Sequence, residues 1–191
     1  MKKSIKFISF LLTSIILGIS TIPSISIAYA SEQMTQTAVE NTDITPATSL
    51  TEEEINTLAN KIQSLHQDVS KEWIKEVIER QLQGDYTLPQ TYSPFRSAWQ
   101  GITVNQMGAA LDTAISLALG GTTAGLASLI QVKGKHAVKS AIRSAVAKYL
   151  GGWIVNSVFI DFAMNLLSPG TYLAQQWDAR DAVPNNGRIN F

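Results

Sequence analysis

The 191-residue sequence contains no cysteine. No disulfide can staple the product, no thiolate can hold zinc, and attachment through a lipidated cysteine is excluded. Histidine is nearly absent as well. His66 and His136 lie in different halves of the chain, so a His-based metal site is not expected, and each reads as a helix-surface residue. No glycine-rich phosphate loop follows a strand, because Gly120-Gly121 falls inside a helical pattern. Spacing brings no Ser-His-Asp set together. No catalytic residue, metal or cofactor is therefore assigned, and an enzyme is not expected. Acidic residues are missing altogether between Asp112 and Asp161. The basic cluster in that interval is small and lacks interleaved aromatics, which argues against nucleic acid as a partner.

The first thirty residues read as a secretory signal peptide. Met1-Lys2-Lys3-Ser4-Ile5-Lys6 is a basic start, and Phe7 to Ile19 carries no charge. That run suits a signal core and is short for a membrane span, so an uncleaved anchor is the weaker alternative. Ala28-Tyr29-Ala30 supplies the small residues that a signal peptidase pocket admits. The mature protein is expected to begin at Ser31 and to be secreted. Leu167-Ser168-Pro169-Gly170-Thr171 only faintly resembles a wall-sorting signal, so the product is expected to be released or held non-covalently. A lysine-rich leader and a cysteine-free chain suit a Gram-positive bacterium.

The overall charge is balanced, with 15 acidic and 15 basic side chains, but the two signs are segregated. From Ser31 to Gln90 most charges are acidic, among them Glu52, Glu53, Glu54, Glu72, Glu76 and Glu79. After Gln90 the basic residues Arg96, Lys133, Lys135, Lys139, Arg143, Lys148, Arg180 and Arg188 prevail. An acidic front half joined to a basic, apolar back half is the main global feature.

Residues 31–49 are polar, threonine-rich and without period, which predicts a disordered linker. An acidic helical hairpin is expected over 50–84. Thr51 and Glu54 form a capping box, and Ile55, Leu58, Ala59, Ile62 and Leu65 share one stripe. A second helix runs from about Ser70 to Gln83, with Trp73, Ile74, Val77 and Ile78 on its apolar face and Gly84 as its stop. Residues 85–102 form a proline-containing linker. An apolar helical hairpin follows over 103–168, opened by Thr103 and Gln106, broken at Gly120-Gly121 and Gly151-Gly152, and stopped at Ser168-Pro169-Gly170. The tail 169–191 carries one short helix near Thr171–Arg180 and a turn at Pro184-Asn185-Asn186-Gly187. The predicted fold class is all-α.

Two segments of the back half, Met107–Ile130 and Tyr149–Leu167, carry one charge each, Asp112 and Asp161. At about 1.5 Å per residue, each approaches the thickness of a bilayer core. Gly121-x-x-x-Gly125 permits the close helix approach that packing in lipid requires. Trp153 and Tyr149 suit a membrane interface, and Lys133, Lys135, Lys139, Arg143 and Lys148 would be drawn to anionic lipid. The competing reading places the same helices in the centre of a soluble bundle, with the basic side chains forming a solvated face. Asp112 and Asp161 are then either buried and paired or exposed, and no glycosidase-like separation between them is fixed. Asp178 and Asp181, near Asn185, Asn186 and Asn190, lack EF-hand spacing and read as a helix end followed by a turn.

The stretch from Gly120 to Val155, with its paired glycines, alanines, Lys-Gly-Lys and Gly-Gly-Trp, resembles the core of circular and related helical bacteriocins. The apolar hairpin is similar in kind to that of pore-forming colicins. These resemblances imply a compact, cationic, helical protein that permeabilises target membranes, with anionic lipid as partner and self-association in the bilayer. The acidic hairpin and the tail after Pro169 have no counterpart in either family. The expected function is a secreted membrane-active protein, a bacteriocin or pore-forming toxin precursor. Its acidic hairpin would mask the apolar part until removal near Tyr92–Arg96. A secreted, non-catalytic all-α interaction domain is the alternative.

Overall fold

The protein's computed structural model describes residues 44–89, 101–150 and 157–190. The expected signal peptide, the maturation region at Tyr92–Arg96, Gly151-Gly152 and Trp153 lie outside the described residues. Seven helices and one pair of very short strands are seen among them, so the fold is all-α.

Helix α1 spans Glu52–Leu65 and α2 spans Lys71–Leu82. Both start for local reasons. Thr51 accepts the Glu54 amide while Glu54 accepts the Thr51 amide, a reciprocal cap, and Ser70 accepts the Trp73 amide. Strand β1 (Ile102–Thr103) leads into α3 (Val104–Ala118), which opens on the same reciprocal device between Thr103 and Gln106. Helix α3 ends at two glycines of positive φ, Gly120 (94°) and Gly121 (72°). Helix α4 (Leu126–Lys133) follows, and Gly134 separates it from α5 (Lys135–Leu150). Helix α6 is Ser157–Ala163, α7 is Pro169–Asp178, and β2 is Arg188–Ile189. The tail returns to the start of α3, where Ile102 pairs with Ile189 and Thr103 with Arg188 in antiparallel register.

Helix α3 is the centre of the fold because it is apolar on more than one side. Met107, Leu111, Ala114 and Ile115 recur at helical spacing and pack with Val138, Ile142 and Val146 of α5 and with Leu173 and Trp177 of α7. Ala109, Ala110 and Leu117 form a second stripe, covered by Leu58 and Ile62 of α1 and Ile74 and Ile78 of α2. A helix apolar nearly all round must be enclosed, either by protein or by lipid. Here the acidic hairpin encloses one side of it.

Several sequence expectations change. The Met107–Ile130 segment is two helices rather than one span, because Gly120 and Gly121 turn the chain. Gly121 and Gly125 consequently do not share a helical face. Gly121 lies against the Leu50 side chain, where a Cβ would come within 2.7 Å, and Gly125 faces open space at the start of α4. The basic residues expected in a connector lie largely on α5, since Val138, Ile142, Ala145 and Val146 give that segment its own apolar stripe. Residues 44–49, included in the expected disordered linker, have a defined course. The Ala47 amide donates to the Leu117 carbonyl near the end of α3 at 2.8 Å. Ser168-Pro169, expected as a stop, starts α7. Among the described residues no helix is long and apolar enough to cross a membrane.

Candidate functional site

Among the described residues, the buried ionisable side chains His66 and Asp112 meet where α1, α3 and α7 converge. His66 caps the C-terminal end of α1 and is 2% exposed, and Asp112 on α3 is 4% exposed. His66 Nε2 lies 2.9 Å from Asp112 Oδ2. The Ser168 hydroxyl donates to the same oxygen at 2.6 Å, and the Gly170 amide donates to Asp112 Oδ1 at 2.7 Å. Ser168 Oγ also accepts the Thr171 amide at 3.3 Å, and it lies 2.6 Å from Thr171 Oγ1.

Local sequence explains this convergence. Ser168 is the N-cap of α7 and Pro169 occupies the first helical position, where a missing amide costs nothing. Two orphan amides of the first turn remain to be satisfied. Ser168 takes that of Thr171, and Asp112 takes that of Gly170. A carboxylate is favoured there because it faces the positive end of the helix dipole. The approach is very close. A Cβ on Gly170 would come 2.2 Å from the Gly108 carbonyl oxygen, and one on Gly108 would meet Thr171 Cα and His66 Cε1 at 3.0 Å. Position 170 requires glycine for space, whereas a Cβ at 108 would need its neighbours to give by a few tenths of an ångström.

The residue types are those of a hydrolytic triad, but the geometry differs. Asp112 stands between the imidazole and the hydroxyl and receives both. Ser168 Oγ is 3.4 Å from His66 Nε2, and its proton is directed to the carboxylate rather than to a base. The hydroxyl is also engaged as a helix cap. This arrangement positions three helices; it does not activate a nucleophile in the manner of a serine hydrolase.

The residues expected to meet lipid lie elsewhere. Lys135, Lys139 and Arg143 recur every four residues along α5, which places them on one face. Lys139 Nζ contacts both oxygens of Asp161, at 2.6 and 2.8 Å. That hydrogen bond, helped by the positive charges of Lys135 and Arg143, holds the Asp161 carboxyl below its ordinary value. Arg143 Nε is buried and has no hydrogen-bond partner among the described residues. Lys135 and Lys148 are exposed, and Lys133 is half-buried. Lys148 Nζ sits 4.7 Å from the centre of the Tyr86 ring. Tyr149, expected at a membrane interface, is largely enclosed. Its hydroxyl meets the Gln81 amide, its ring contacts Tyr86 edge-on, and burial pushes its pKa up.

Two aspartates with a possible calcium reading have other work. Asp178 accepts the Asn186 and Gly187 amides, and Asp181 accepts the Val183 and Asn190 amides. They hold the tail in the turn that places β2. Among the described residues no three His, Asp or Glu side chains form a metal-ligating group.

His66, expected at a helix surface, is instead buried against Asp112 at the end of α1, and sequence reasoning gave Ser168, Gly108 and Gly170 no part in a site. The signal for part of the cluster was present, since Ser followed by Pro is a helix-start pattern. Nothing local marks His66 as its neighbour across 102 positions. No family model, curated protein or solved structure matches the chain.

Proposed function

We propose that the protein is a secreted, membrane-active protein of the bacteriocin or pore-forming kind, whose apolar helix α3 is stored beneath the acidic α1–α2 hairpin. The observation that carries this reading is that exposed apolar and basic side chains occur together in the stretch 132–167, which holds one acidic residue, Asp161. Val132, Val158, Phe162 and Leu167 are large apolar residues left open to solvent, with Leu167 90% exposed. They occur in the same stretch as Lys133, Lys135, Lys139, Arg143 and Lys148. Exposed side chains of this composition, with Lys135 and Lys148 as the exposed cations, suit the boundary of an anionic bilayer, where each nearby Lys or Arg is worth about 1 kcal/mol. Binding there would precede separation of the hairpin from α3 and self-association in the bilayer.

Sedimentation with vesicles tests the first step. The expected result is binding to anionic but not neutral vesicles, weakened about tenfold or more by the double change Lys135→Glu and Lys148→Glu. Equal binding of both proteins would count against the reading.

A second reading, a secreted non-catalytic helical interaction domain, is supported by the buried tie among His66, Asp112 and Ser168. It expects a monodisperse protein that ignores both vesicle types.

A further inference from the structure

A cavity of about 340 Å³ opens beside the buried cluster, between α1, α3, α4 and residues 164–169. Its size is at the small end of ordinary ligand sites, about 300–1,000 Å³. The walls are mainly apolar, formed by Ile62 and Leu65 of α1, Ile115 of α3, Leu129 and Ile130 of α4, and Met164. Ser116, Thr122, Thr123 and Asn165 also line it, but they are outnumbered by apolar side chains, so a strongly polar sugar or nucleotide would find few partners there. It suits a single alkyl chain.

The ionisable groups in the lining are two, Lys61 and Asp112. Both Asp112 oxygens are already engaged by His66, Ser168 and Gly170. Lys61 is exposed and has no carboxylate partner among the described residues. Helix α4 begins at the same cavity, through Gly125, Leu126 and Ala127, and its N-cap glycine supplies no side-chain acceptor. An unpaired ammonium and an uncapped helix start therefore both favour a negative group near the opening. No acid lies on α4 to oppose it.

We infer that this cavity binds one linear fatty-acid anion, with its chain among Ile62, Ile115 and Leu129 and its carboxylate at Lys61. The inference goes beyond membrane action, since it concerns a free ligand of the folded protein. Failure of one does not entail failure of the other.

The test is calorimetric titration of the full protein with dodecanoate below its micelle concentration, with dodecanol as the uncharged probe. The expected result is saturable binding of one dodecanoate per chain. Lys61→Met should weaken dodecanoate two- to fivefold, about the worth of one exposed ion pair, and leave dodecanol unchanged. Ala127→Trp, at an exposed position of the lining, should weaken both at least tenfold with an unaltered far-ultraviolet spectrum. Absence of saturable binding overturns the inference. So does binding that both substitutions leave unchanged in a folded protein, because the ligand would then lie elsewhere.

Discussion

Asp112 is the residue at which α1, α3 and the start of α7 are tied together. Its carboxylate satisfies one buried imidazole nitrogen, one half-buried hydroxyl and one buried backbone amide. Asp112→Ala removes the acceptor and leaves the His66 nitrogen and the Gly170 amide buried without it. The expected loss of stability is about 3 kcal/mol or more, read by denaturant unfolding. Ser168→Ala removes the cap, one donor to Asp112 and the contact with Thr171 Oγ1, and should cost about 0.5–2 kcal/mol. Gly170→Ala acts by contact rather than charge. Its methyl would run into the Gly108 carbonyl and the backbone of Asp112, neither of which is a flexible chain end. It should destabilise by about 1–3 kcal/mol or more, although alanine favours a helix. The Asp161 carboxyl, held low by Lys139, gives a further residue-scale expectation. The contribution of the pair is complete above the ordinary value of 3.8 and is lost as pH falls through the lowered one. In a carboxyl NMR titration Lys139→Met should move Asp161 back up towards that ordinary value; an unchanged midpoint would show that Lys139 is not the cause.

At the scale of elements, helix starts were legible where the chemistry is local. Thr51 with Glu54 and Thr103 with Gln106 lie three positions apart, and the structure forms both reciprocal caps. The apolar stripes of α1 and α2 were legible for the same reason, since one period fixes one face. Helix α3 was only partly legible. Its two stripes, through Leu111 and through Ala110, merge in sequence into one apolar run that resembles a membrane span. What divides them is the identity of their neighbours, which periodicity does not contain. The paired glycines after α3 were read as a break, and their positive φ values carry Gly121 and Gly125 out of α3 altogether. The β1–β2 pair is two residues long on each side. It is placed by the Asp178 and Asp181 carboxylates holding the tail, so no alternating pattern announces it. The candidate cluster was the least legible part, because it joins His66, Asp112 and Ser168 from three elements far apart in the chain. The acidic hairpin offers a direct test of storage. Leu58 is fully buried between α1 and its neighbours, and Leu58→Ala should cost about 2–5 kcal/mol. If the hairpin restrains α3, that loss should increase membrane activity rather than abolish it.

For the whole molecule, charge segregation and core architecture point the same way. The acidic helices cover Ala109, Ala110 and Leu117 of an apolar helix, while the stretch 132–167, with Asp161 as its one acid, carries exposed Leu167, Phe162, Val158 and Val132 alongside its lysines. A protein arranged in this way can keep α3 from water and still present an apolar, cationic surface to anionic lipid. The most direct test is dye release from anionic and neutral vesicles by the folded protein and by Leu58→Ala. Membrane action predicts leakage from anionic vesicles only, faster for Leu58→Ala than for the unaltered chain. No leakage from anionic vesicles by either folded protein would contradict it.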